Sequence, residues 1–285
     1  MLQQPDKESA RASPHGAGTV YRAVYETGDG LLADHVITGR SILPGASMVD
    51  LALAAAQARQ LPCLALKDVL ICRPGVARER LEVEVKWGNS SGFTIHDGRN
   101  LLCIGRSEER ELAPKANVLV FDVTARGEPV EPRVLHADLD QLGYRYGPGL
   151  QVIRSALKVA DGMLFKLSAE NHRDCRSESV NPALLDGAIQ AVFCMMQYSP
   201  RPIRPGGLLV PTGFRRLSIH GSVQGTCFVQ VVELALARRA DDVIADLQIR
   251  NERGRPLLRI EGLLLKYVPR DFLDKFDERV PAKPS

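Results

Sequence analysis

Leu43-Pro44-Gly45-Ala46-Ser47-Met48-Val49-Asp50-Leu51-Ala52-Leu53-Ala54-Ala55-Ala56 is the stretch whose reading decides the fold. Pro44 has the fixed φ that suits the first position of a helix, and the alanine- and leucine-rich run behind it predicts a helix too apolar and small-sided for a surface. A second run repeats the pattern, Asn181-Pro182-Ala183-Leu184-Leu185-Asp186-Gly187-Ala188-Ile189-Gln190-Ala191-Val192-Phe193. A helix apolar on all sides must be covered all round, and a strongly curved antiparallel sheet wrapped about it is the physical solution.

Segments around each helix supply such a sheet. Thr19 to Tyr25 alternates like a strand, with Gly28 to Gly30 as a turn. After the first helix, Leu64 to Ile71, Leu81 to Trp87, Gly92 to Asp97 and Leu101 to Ser107 read as short strands, punctuated by Pro74-Gly75, Gly88-Asn89 and Asp97-Gly98. Later, Val134 to Leu142 reads as a short helix, Gly143 to Pro148 as a rigid turn, and Val152 to Val159 with Met163 to Leu167 as paired strands. Beyond Pro211 come four more strands, Phe214 to His220, Thr226 to Leu236, Val243 to Arg250 and Leu257 to Tyr267, with Asn251 to Gly254 as a hairpin turn. No βαβ alternation appears, so the class is α+β. The predicted organisation is a polar N-terminal linker over 1–17, one module over 18–125, a linker at 126–133 following the apolar run Val118 to Val123, a second similar module over 134–269, and a charged C-terminal linker over 270–285.

Composition removes several functions. A net charge of +3 over 285 residues, with no basic run interleaved with aromatics, argues against nucleic acid. Cys63, Cys72, Cys103, Cys175, Cys194 and Cys227 form no CxxC pair and have no histidine at metal-ligand spacing, which argues against a metal centre and suits a reducing cytosol. No segment approaches the roughly 20 apolar residues that span a bilayer, and the first residues lack a signal-peptide core. A cytoplasmic protein without membrane association is the expectation.

The residues that carry chemistry are few. His35 precedes the first helix, whose free N–H groups would stabilise a developing oxyanion; a single histidine in an apolar run is nevertheless more often a hydrogen-bonded core residue. Asp186 and Gln190, four apart, share a face of the second helix otherwise lined by apolar side chains. Burial there raises a carboxyl toward the range of a general acid, with Gln190 orienting it; equally, Asp186 reads as a cap behind Pro182. Tyr144 and Tyr146, stiffened by Gly143, Gly147 and Pro148, could present a hydroxyl to such a site, though either tyrosine taken singly reads better as packing of a tight turn. No phosphate-binding glycine loop, GxSxG or HExxH is present.

Together, His35-x-x-x-Gly39-x-x-x-x-Pro44, Gly143-Tyr144-x-Tyr146-Gly147-Pro148 and Asp186-x-x-x-Gln190 resemble the motif set of dehydratase domains from modular polyketide synthases. The likeness runs from about Tyr21 to Tyr267 and takes in Leu32-Ala33-Asp34-His35, Leu209-Val210-Pro211, Gly254 and Glu261-Gly262. It implies a double hotdog, two curved antiparallel sheets each wrapped around a central helix. It also implies a 3-hydroxyacyl thioester substrate delivered on the phosphopantetheine of an acyl carrier protein, through a tunnel between the modules. By the same resemblance His35 is the base and Asp186 the acid of a water elimination. Gln190 and Tyr144 hold the carboxyl, and Gly45 behind Pro44 offers an N–H to the thioester oxygen. Gly39, Leu43, Tyr146, Gly147, Pro148, Leu150 and Pro211 are the substrate-binding residues. No metal or organic cofactor is implied; the partners are the acyl carrier protein, neighbouring synthase domains and a second copy of the domain.

One departure stands out. The family often has an aromatic after the Gly-Pro pair, where this chain has Gly149-Leu150, which predicts more room near the tunnel. Relatives of such dehydratases also close oxygen heterocycles by adding an internal hydroxyl to the enoyl product, an alternative that needs the same base and acid. Double-bond isomerisation, or a non-catalytic hotdog that only binds carrier protein, would go with loss of Asp186 or Pro44, and both are retained.

Overall fold

The computed structural model describes residues 20–28, 30–61, 63–88, 91–109, 127–159, 162–169, 175–198, 206–236 and 242–276. The expected linker 1–17, the run Val118 to Val123 and residues 277–285 lie outside the described residues.

Before the centre of the chain come β1 (Val20–Glu26), α1 (Gly30–Asp34), β2 (His35–Ile37), β3 (Arg40–Ile42), α2 (Gly45–Ala58), β4 (Ala65–Ile71), β5 (Val76–Ala77), β6 (Arg80–Trp87), β7 (Gly92–Asp97) and β8 (Asn100–Glu108). After it come β9 (Glu128–Val130), α3 (Pro132–Leu142), β10 (Tyr144–Tyr146), β11 (Ile153–Val159), β12 (Gly162–Ser168), α4 (Pro182–Gln197), β13 (Gly207–Ile219), β14 (Thr226–Leu236), β15 (Val243–Arg250) and β16 (Pro256–Pro269), closed by a 3-10 helix, Arg270–Phe276.

The two long apolar runs are the buried helices α2 and α4, covered as their composition demands. Ala46 to Ala56 is buried throughout, and α4 is buried from Pro182 to Cys194. α2 packs on β1, β6 and β7, α4 on β12, β14 and β15, and the two helices pack on each other. The small alanine faces permit that approach, while Leu51, Leu53 and Leu184 fill the core, each worth about 1.5–3 kcal/mol of burial.

The sheet is continuous across both halves, in the order β1-β6-β7-β8-β4-β13-β16-β15-β14-β12-β11-β9, and every pairing is antiparallel. The seam is β4 against β13, with Phe214 opposite Val69 and Leu217 opposite Leu66. In each half the strand after the helix lies at this seam and pairs next with the last strand of its half. A second sheet, β10-β2-β3-β5, draws strands from both halves.

Three local expectations change. Gly143 to Pro148 is not a turn throughout: Tyr144–Tyr146 is a strand, because alternate burial of the two tyrosines about exposed Arg145 satisfies a two-residue period and β2 offers an open edge. The 126–133 segment contains β9, hydrogen-bonded to β11, and the first two residues of α3. Arg270–Phe276, expected within a linker, is helical and packed, because Phe272, Leu273 and Phe276 give a charged stretch an apolar side.

Candidate functional site

His35 is positioned by its own hairpin. Thr38 and Gly39 form the two-residue connection of β2 to β3 with φ of 47° and 81°, the positive values a tight hairpin turn requires and that glycine enters at little cost. Val36 pairs with Ser41 and Ile37 with Arg40, so the next pair outward sets His35 against Ile42. There Nδ1 lies 2.7 Å from the Ile42 carbonyl oxygen. A carbonyl only accepts, so Nδ1 carries the hydrogen and Nε2 of the neutral ring keeps its lone pair. On its other side β2 pairs with β10, Tyr146 opposite His35, with the two rings 5.7 Å apart.

Asp186 lies one turn into α4. The cap of that helix is Asn181, whose side chain accepts from the Ala183 N–H with Pro182 at the first position, so Asp186 is an interior residue. Gln190 Nε2 donates both to the Leu150 carbonyl, at 3.0 Å, and to Asp186 Oδ2, at 2.9 Å. The Leu150 carbonyl fixes which end of the amide faces inward, since a flipped Gln190 would set oxygen against oxygen. Oδ2 is thereby held as an acceptor, and a proton on Asp186 resides on Oδ1. That atom is the one facing His35 Nε2, 3.9 Å away, with the side chains 12% and 7% exposed. Burial raises the Asp186 carboxyl above its usual range, opposed by the His35 ring and the Gln190 hydrogen bond.

These groups open into a cavity of about 190 Å³ whose walls come from both halves. Of the residues expected at the site, His35, Leu43, Gly45, Tyr144, Tyr146, Asp186 and Pro211 line it. Gly45 is the first helical residue of α2, with Pro44 as its extended N-cap rather than its first position; the Pro44 carbonyl takes the Ser47 and Met48 N–H groups. The N–H groups of Gly45 and Ala46 precede the first intrahelical bonds, which leaves them as donors at the positive end of the helix.

The remaining expected residues act from outside the walls. Gly39 shapes the hairpin. Gly147 and Gly149 donate backbone N–H groups to the Asp34 carbonyl and carboxylate, each at 2.8 Å, and a Cβ on Gly147 would collide with that carboxylate. Pro148 is exposed beside them. Leu150 is buried away from the cavity, so the small residue there does not widen it; its contribution is the carbonyl that anchors Gln190. Tyr144 does not hold the carboxyl. Its hydroxyl donates to the Leu209 carbonyl at 2.9 Å and accepts from the Leu209 N–H, fixing the strand that carries Pro211. Tyr146, its hydroxyl pushed well above the usual value by burial and then by Asp186, remains a neutral phenol beside the pair. Two features had no sequence signal, the carbonyls of Ile42 and Leu150. Phe272 and Leu273, which complete the wall, had one in their apolar side chains.

The fold defines a class, the double hotdog, here with an imidazole and a carboxyl facing each other at the junction of its two halves. Residues 122–274 match the family described as polyketide synthase dehydratase N-terminal domain, and residues 8–97 that described as polyketide synthase dehydratase domain. The chain belongs to the polyketide synthase dehydratase domains. Among curated relatives it is 25% identical over 268 residues to the polyketide synthase GfsE of Streptomyces halstedii, covering 85% of this chain and 7% of that protein. It is 29% identical over 252 residues to the polyketide synthase ThaG of Burkholderia thailandensis, covering 81% of this chain and 4% of that one. The chain thus spans a small part of these relatives. The dehydratase domain from the CurH module of the curacin polyketide synthase superposes with a TM-score of 0.73 at 18% identity, over 88% of this chain and 92% of that one. The dehydratase domain of PpsC from Mycobacterium tuberculosis, solved with C12:1-CoA, gives 0.71 at 18%, over 91% and 97%. No helix among the described residues is long and apolar enough to cross a membrane.

Proposed function

We propose that this chain removes water from a 3-hydroxyacyl thioester carried on the phosphopantetheine of an acyl carrier protein, leaving an α,β-unsaturated thioester, as one domain of a polyketide synthase. The observation that carries the reading is the facing pair: an imidazole whose Nε2 keeps its lone pair at the cavity wall, and a carboxyl, raised by burial, whose Oδ1 stands 3.9 Å from it.

His35 Nε2 takes the α-proton, and the electron pair moves toward the thioester oxygen, where the Gly45 N–H meets the developing charge. As the pair returns to form the alkene, the C–O bond at the 3-position breaks and the departing hydroxyl takes the proton of Asp186 Oδ1, leaving as water. His35 then holds one proton more and Asp186 one fewer. Their facing atoms give the proton a short route back to the starting state. The thioester activates the α-carbon, so the base and the acid complete the elimination without a metal or organic cofactor.

The test follows a 3-hydroxyacyl thioester on carrier protein or on a pantetheine mimic by mass and by enoyl absorbance. The wild type loses water; His35→Ala and Asp186→Asn do not, while both melt cooperatively. Equal behaviour of all three proteins would overturn the assignment. With a substrate that bears a distal hydroxyl, a product of the enoyl mass that lacks enoyl absorbance would add ring closure to the reaction.

A further inference from the structure

The cavity has a charged outer end. The side chains of His35 and Asp186 are only 12% and 7% exposed, whereas Cys72 is exposed and Arg73 half-buried, so residues 72–74 form part of its mouth. Apart from the reactive pair the described lining is apolar or neutral, and Arg73 is its one permanent cation. The guanidinium is held rather than loose. One Nη donates to Asn100 Oδ1 at 3.1 Å, and the guanidinium carbon lies over the Phe276 ring, 5.0 Å from its centroid. Asp97, on the neighbouring β-hairpin, lies within its field, yet no described carboxylate makes an ion pair with Arg73. A guanidinium held by an amide and an aromatic ring, with N–H groups to spare, is suited to a phosphate, which accepts its fork of donors.

We propose that Arg73 receives the phosphate of the phosphopantetheine arm on which the acyl thioester arrives. This rests on the reading of the cavity as a thioester elimination site, and it adds which end the arm enters and which residue anchors it. With the thioester carbon between His35 and Asp186, the arm's amides and methyl groups lie along apolar wall and its phosphate comes last, at the mouth. The stack on Phe276 ties this anchor to the 3-10 helix whose Phe272 and Leu273 form a wall, so a phosphate on Arg73 also secures that wall.

The experiment compares phosphopantetheine with pantetheine, which differ only in the phosphate, by titration calorimetry on the full chain. The wild type is expected to bind phosphopantetheine roughly tenfold more tightly, the scale of one charge-assisted contact at a half-exposed site, and the preference should fall as salt rises. Arg73→Gln should abolish it and Arg73→Lys retain part of it. Turnover of one 3-hydroxyacyl group on the two carriers should show the same split in KM. Equal binding in the wild type, a preference insensitive to salt, or a preference that survives in Arg73→Gln would each overturn the proposal. Since the salt series uses the wild type alone, a misfolded variant leaves the proposal open to refutation. A wild type that keeps the phosphate preference but dehydrates neither thioester would retain the anion site and remove the dehydratase reading.

Discussion

Gln190→Leu isolates what the carboxamide does, because leucine keeps most of the volume and removes both hydrogen bonds. Two buried groups then lose their partner: the Leu150 carbonyl and Asp186 Oδ2. A buried carbonyl left unsatisfied costs about 1–3 kcal/mol. The carboxyl, whose pKa burial raises, adds less, so a loss of roughly 2–4 kcal/mol is expected, or about 5–10 °C in Tm for a chain of this size. The catalytic effect has a definite sign. Gln190 stabilises the ionised form of Asp186, so its removal raises the carboxyl further and weakens it as an acid. The alkaline limb of the kcat profile should move to higher pH, and kcat at its optimum should fall roughly tenfold, part of the usual worth of a placed acid. The assay is water loss from a 3-hydroxyacyl thioester across pH, with thermal melts of the same samples. An alkaline limb that stays in place or moves to lower pH would refute the account of where the proton sits.

Other outcomes follow from the same geometry. Tyr144→Phe should destabilise by about 1–3 kcal/mol, through the unpaired Leu209 N–H and carbonyl, and lower kcat less than Gln190→Leu does; chemical denaturation and turnover measure the two effects. At Gly45 a Cβ would meet Ile71 Cδ1 at 2.9 Å, so Gly45→Val forces a side chain of the cavity wall aside, costing about 1–3 kcal/mol of overpacking and most of the turnover with His35 intact. Buried Asp50 has its pKa raised to about 6, chiefly by desolvation, against N–H groups of Arg176 and Ser177 that favour its charge. With the folded value above the unfolded one, the stability it contributes is present below about pH 4 and lost as pH rises through about 6. Denaturant melts of the wild type against Asp50→Asn should therefore differ by roughly 3 kcal/mol more in the wild type's favour at the acid end than at neutral pH, and a constant difference would count against it.

The fold was legible wherever one segment carries its own instruction. Two helices apolar all round demanded cover, and the alternating segments between Leu64 and Ser107 and between Phe214 and Tyr267 supplied it. The seam of β4 on β13 was not, because pairing between distant edges depends on tertiary fit rather than on local pattern. His35 and Asp186 could be singled out because an imidazole and a carboxyl are side chains. Their partners could not, since the carbonyls of Ile42 and Leu150 belong to every residue alike. Tyr144 was misassigned for a related reason: motif spacing places a tyrosine near a site but does not say which way its hydroxyl turns, and here it turns to Leu209. The strand character of Tyr-Arg-Tyr was available from its two-residue period and was obscured by the flanking glycines and proline.

The small sheet β10-β2-β3-β5 has a consequence for how the domain is made. The strand bearing His35 is completed on one edge by Tyr144–Tyr146, and His35 faces Asp186, encoded later still. During synthesis the first half can collapse around α2 while His35 still has an open strand edge beside it. The facing of His35 and Asp186 comes into being only after α4 has left the ribosome and docked, at the slow, long-range end of folding. A chain stopped at the midpoint therefore holds His35 without its facing carboxyl, and separately expressed halves should regain the proposed activity only to the extent that β10 finds β2 and β13 finds β4.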